Sequence, residues 1–99
     1  MKPLIFHSEA KIEFDSAMSW YEHRQKGLGL ELYDDIDITL GRIRENVEIG
    51  THYKSTEYRF IRTKRFPYLV YYLELQDVIW IAAIAHYRRR PDYWIRRDL

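Results

Sequence analysis

The sequence predicts a two-layer α+β domain of order β-α-α-β-β-β: an antiparallel helical hairpin packed on a mainly antiparallel sheet, followed by a short C-terminal segment. Three observations carry this. The first half holds two apolar stripes at helical spacing. A glycine-bounded link too short for anything but a tight reversal joins them. After about residue 57 the pattern changes to short runs rich in aromatic and branched residues, the composition of strands.

Each element has its own warrant. "PLIFH" at 3 to 7 reads as a short first strand, because a proline suits the start or edge of a sheet. Ser8 is the expected N-cap of the first helix, about 8 to 25, with Glu9 favourable in its first turn. Ala10, Phe14, Ala17, Met18 and Tyr21 make its apolar stripe, and Trp20 lies off that stripe as a hairpin packing residue. "QKGLGLE" breaks the period. Leu32, Ile36, Leu40, Ile43 and Val47 then define a second helix, about 29 to 46. Gly41 within it is expected to mark a close approach of the first helix. "EYRFIRT" (57 to 63), "FPYLVYYLEL" (66 to 75) and "DVIWIAAIAH" (77 to 86) read as a meander. The last strand, apolar on both faces, belongs inside the sheet. Pro91 ends it, and "DYWIRRDL" forms a short helix or ordered tail. The expected core includes Phe14, Met18, Ile36, Leu40, Val70 and Ile81.

Composition narrows the function. The chain has 99 residues, enough for one domain spanning 1–99, and no cysteine, which excludes disulfides and thiolate metal sites. "MKPLIFHSEAK" lacks the apolar stretch of a signal peptide, and "VIWIAAIA" is far short of a membrane span, so a cytoplasmic location is expected. Charge is divided unevenly. Residues 1–50 carry 6 Lys/Arg and 10 Asp/Glu, whereas residues 51–99 carry 10 and 5. A basic half of this kind is how a small protein meets nucleic acid or an acidic partner.

Other constellations are weaker. His7, His23, His52 and His86 show no metal-ligand spacing, so no metal and no cofactor is expected. "GLG" at 27 to 29 lacks the Lys-Ser or Lys-Thr of a phosphate loop, and no nucleophile elbow occurs. Asp34, Asp35 and Asp37 read as the solvent face of the second helix. The basic set is different. Arg59, Arg62, Lys64 and Arg65 lie on and after one strand, and His86, Arg88, Arg89 and Arg90 lie at the end of another, with Tyr87, Tyr93 and Trp94 interleaved. In a meander the two groups meet at one end of the sheet, where arginines contact phosphates or carboxylates and aromatics stack. The binding surface is therefore assigned to Arg59, Arg62, Arg65, His86, Arg88, Arg89, Arg90, Tyr93 and Trp94.

Three segments, "AMSWYEHRQKGLGLELYDDI", "TKRFPYLVYYLE" and "IAHYRRRPDYWIRR", together resemble the RelE/ParE superfamily of toxins from type II toxin–antitoxin, or plasmid-stabilisation, modules. The likeness runs from about residue 4 to residue 97. It implies the βααβββ fold and a small bacterial toxin held silent by a cognate antitoxin, as a homodimer or a heterotetramer with that partner. Two activities occur on the fold. ParE-like members poison DNA gyrase and are not nucleases; RelE-like members cut messenger RNA on the ribosome. "WYE…GLG" and "FPY…Y" look more like the ParE branch, so a gyrase poison leads. The alternative is a ribosome-dependent endoribonuclease, whose catalytic set would be drawn from Arg62, Lys64, His86, Arg89 and Tyr93. A noncatalytic RNA-binding module is the third class.

Overall fold

The period-3.6 and period-2 halves of the sequence become two layers. The computed structural model, which describes residues 1–98, places β1 at Leu4–Phe6, α1 at Ser8–Arg24, α2 at Leu28–Glu45, a 3-10 turn at Val47–Ile49, β2 at Thr51–His52, β3 at Arg59–Arg62, β4 at Tyr68–Glu74 and β5 at Ile79–His86. The sheet order is β1-β5-β4-β3-β2. β1 runs parallel to β5, with Leu4 opposite Ile79, and all other neighbours are antiparallel. The helical hairpin carries the chain from β1 to β2 at the far edge, and three antiparallel reversals then bring β5 back beside β1 in the same direction. The meander lies where expected, with β5 inside the sheet. β2 was not foreseen: two exposed residues carry no period.

Local chemistry explains the helix ends. His7, and not Ser8, caps α1: its Nδ1 accepts from the Glu9 amide at 3.0 Å. At the hairpin the Glu22 carboxylate accepts from the amides of Gly27 and Gly29, which satisfies donors that the start of α2 would otherwise leave unpaired. Gly27 takes φ +90°, a conformation glycine adopts without steric cost.

The close approach between the helices is at Gly29, not Gly41. A Cβ on Gly29 would sit 2.7 Å from the Met18 carbonyl oxygen, whereas one on Gly41 would meet nothing within 4 Å. Gly29→Ala is therefore expected to destabilise the fold by about 1–3 kcal/mol, the usual cost of overpacking against backbone. Gly41→Ala is expected to stabilise it by up to about 1 kcal/mol, since glycine weakens a helix interior. Urea unfolding of the two variants checks both signs.

Two cores result. Between helices and sheet, Phe14, Leu32, Ile36, Leu40 and Ile43 meet Val70, Tyr72, Ile79, Ile81 and Ile84. Met18, expected among them, is only partly buried. On the other face Tyr53, Tyr71, Trp80, Ala82, Ala83 and Ala85 close around Trp94, which is 1% exposed. A bulge in β5 divides its side chains between the two cores. Tyr71 pairs with Ala83 and Tyr72 with Ile81, leaving Ala82 as the extra residue. The bulge shifts the alternation by one, so Ile81 and Ile84 both face the helices although they are an odd three positions apart. Residues 91–96 form successive turns that hold Trp94 against this second core.

Candidate target-binding surface

Arg62 ends β3, Tyr68 begins β4 and His86 ends β5; the register sets Arg62 opposite Leu69 and Tyr68 opposite His86. The two basic segments therefore leave the sheet at the same end. Beyond it, the Tyr87 amide donates to the Pro67 carbonyl at 2.9 Å and locks one segment to the other. The Tyr87 ring, 44% exposed, has two guanidiniums close to it: that of Arg62 at 5.0 Å from its centroid and that of Arg88 at 5.4 Å. Arg88 Nε also donates to the Tyr87 hydroxyl at 3.0 Å. Cations over an aromatic face hold their direction without an acidic partner, so both remain available to an external anion. The exposed side chains of Lys64 and Arg65 follow Arg62, and the Arg65 guanidinium donates to Glu31 at 2.8 Å.

The remaining assigned residues separate. His86 Nδ1 accepts from the Arg88 amide at 3.1 Å, and the ring packs on Tyr68, whose hydroxyl burial pushes up to about 12. Arg89 lies over the Tyr93 ring at 4.0 Å and is 4.0 Å from the Glu13 carboxylate. Tyr93 donates its hydroxyl to Glu13 at 2.7 Å; burial first, then this bond, raises its pKa far above the tyrosine range. The phenol proton is thereby directed at Glu13. Arg90 leaves the cluster and lines a groove with Tyr53, Lys54 and Arg96 on the face away from the helices.

Two assignments to the surface are corrected. Trp94 is core, because a large apolar ring at the chain's second core is worth more buried than exposed. Arg59 lies at the opposite end of β3, where its guanidinium donates to the carbonyls of Glu48 and Gly50 and ties down the loop before β2.

Two carboxylates were missed. Glu13, 12% exposed, accepts from the Ile84 amide, from Tyr93 and from both Arg97 nitrogens, while Arg97 donates to the Ala82 carbonyl. Together they satisfy the edge of β5 beyond the point where β1 stops. Asp35, read as solvent-facing, is 5% exposed and accepts from the amides of Lys64, Arg65 and Phe66 at 3.2, 2.9 and 2.8 Å. Asp34 and Asp37 are exposed as expected. The signal was present: Glu13 falls three residues after Ala10 and four before Ala17, and Asp35 falls three after Leu32. An acidic residue inside an apolar stripe is a buried acceptor in waiting.

A groove of about 540 Å³ runs between α1 and the end of β5, where Ile12 and Trp20 meet His86 and Arg89. Trp20 is 52% exposed and carries the Arg24 guanidinium 4.1 Å from its ring, so it packs within its own helix and also lines this groove.

No family model matches the chain, and no curated protein matches it in sequence. Among solved structures, a chain of the chromosomal ParDE TA system from P. aeruginosa is similar to it, with a TM-score of 0.75 over 87% of this chain and 96% of that one, at 17% identity. The likeness is one of fold. It is the fold that the RelE/ParE resemblance implied, two helices on one face of a five-stranded mixed sheet.

Proposed function

We propose that the chain is the toxin of a type II toxin–antitoxin module, of ParE type: it arrests growth by poisoning DNA gyrase and is neutralised by a cognate antitoxin. What supports a ParE over a RelE mode of action is the state of Tyr93. Cleavage of RNA by 2′-OH attack needs a base, an acid and cationic support. Of the five residues considered for that task, Tyr93 has its hydroxyl committed to Glu13, Arg89 lies beside the same carboxylate, and His86 has one ring nitrogen taken by a backbone amide. Binding a large acidic partner asks only for the exposed cations and ring at Arg62, Tyr87 and Arg88. The antitoxin is expected to lay an amphipathic segment with acidic residues along the groove of Ile12, Trp20, His86 and Arg89, where apolar and basic surface adjoin.

The test is induction in a bacterial host with and without the candidate antitoxin, followed by supercoiling assays on purified gyrase and cleavage assays on ribosome-bound message. Growth arrest, inhibited supercoiling and intact message are expected. Tyr93→Phe is expected to cost about 1–3 kcal/mol of stability, the worth of a buried bond to a charged group, and to leave arrest in place. Message cleavage lost in Tyr93→Phe would establish the ribonuclease instead.

A further inference from the structure

Asp35 does more than satisfy its own burial. Its two carboxylate oxygens collect three successive amides, Lys64, Arg65 and Phe66, in the loop between β3 and β4. Three donors on one acceptor tie that stretch to α2, and the first two residues are the exposed Lys64 and Arg65. One turn earlier on α2, Glu31 holds the Arg65 guanidinium, so a single helix grips that residue by backbone and by side chain. The loop continues into Pro67, whose carbonyl receives the Tyr87 amide, and Tyr87 is the ring on which Arg62 and Arg88 rest.

We infer that Asp35 is the positioning residue of the basic end: through the 64–66 amides and the Pro67–Tyr87 bond it sets the direction of Lys64 and Arg65 and the seat of Arg62 and Arg88. The consequence for activity rests on the proposed function; the structural claim does not.

Asp35→Asn keeps the size of the side chain but loses the charge and one of its two acceptor oxygens. Backbone hydrogen exchange at Lys64, Arg65, Phe66 and Tyr87 is expected to accelerate about tenfold or more, as unmade bonds to a charged group require. Exchange within α1 and at the centre of β5 is expected to follow only the global stability. Ile36→Val, the adjacent buried position, serves as the control for stability lost without loss of an acceptor. Growth arrest is expected to disappear in Asp35→Asn and to persist in Ile36→Val. Exchange at the four amides that rises no more than in the control overturns the inference. Full growth arrest by a folded Asp35→Asn whose loop has been freed overturns the consequence for activity. If Asp35→Asn does not fold, the unaltered protein decides. Slow exchange at Lys64 and Arg65, in spite of their exposed side chains, supports the inference, and rapid exchange there overturns it. If the unaltered protein arrests nothing, the proposed function falls and the exchange measurements alone judge Asp35.

Discussion

Trp94→Ala is expected to cost about 3–5 kcal/mol, the range for removing a large buried aromatic side chain. The ring stands 4.4 Å from Tyr71, 4.9 Å from Tyr58 and 5.0 Å from Tyr53, centroid to centroid, at the middle of the second core. A domain of this size has about 5–15 kcal/mol of stability in all. The variant should therefore melt roughly 12–40 °C lower, at about 4–8 °C per kcal/mol. Trp94→Phe should recover much of the loss, since a smaller ring still covers Tyr71. Thermal unfolding followed by circular dichroism measures both. A drop equivalent to less than about 1 kcal/mol in Trp94→Ala would mean that the C-terminal segment does not close the second core.

That expectation inverts the role the sequence suggested for Trp94, and the reason is instructive. The helices and the meander were legible because their apolar residues repeat: Leu32, Ile36, Leu40 and Ile43 are all buried at the spacing that identified them. The second face of the sheet was not legible. β5 is apolar on both sides, which says that something covers both sides without naming the cover. The cover comes from irregular chain, residues 53–58 and 91–96, where no period exists to read. Trp94 adjoins a run of arginines and so looked like part of their surface. Its burial depends on a turn that reverses the chain at Asp92, a residue with φ +66° whose carboxylate accepts from both Tyr53 and Lys54.

The candidate surface was legible in the same uneven way. That Arg62 and His86 share one end of the sheet follows from counting strands in a meander. Which arginines are available there does not. Arg88, Arg89 and Arg90 are consecutive and look equivalent in sequence, yet they go to Tyr87, to Glu13 with Tyr93, and to the opposite face. β5 ends at His86, where the Arg89 amide donates to the His86 carbonyl at 2.9 Å, so the three arginines follow this turn and not a strand alternation, and Pro91 comes only after them. Glu13 and Asp35 escaped notice because carboxylates on a helix are ordinarily solvated. Their place within the apolar stripe was the discriminating fact.

Joint replacement of Arg62 and Arg88 by glutamine is expected to abolish growth arrest at unchanged expression. These two guanidiniums are held by the Tyr87 ring, and among the described residues neither forms an ion pair. Both side chains are exposed, so the fold should lose little: surface changes of this kind usually stay within about 0.5 kcal/mol each. Arginines that anchor an interface are commonly worth about 2 kcal/mol or more apiece. Two of them together weaken binding to the proposed target by about 10³-fold, at 1.4 kcal/mol per factor of ten. Arg59→Gln and Arg90→Gln serve as contrasts. The first removes bonds that hold the loop before β2, and should lower stability while leaving arrest intact in the folded fraction. The second lies on the far groove and should change neither. Titration of purified gyrase with each variant, read by supercoiling, separates the Arg62–Arg88 pair from the two contrasts. A double variant that melts with the unaltered protein and still arrests growth in full would show that the target is met elsewhere, and the groove beside Trp20 would then be the surface to alter.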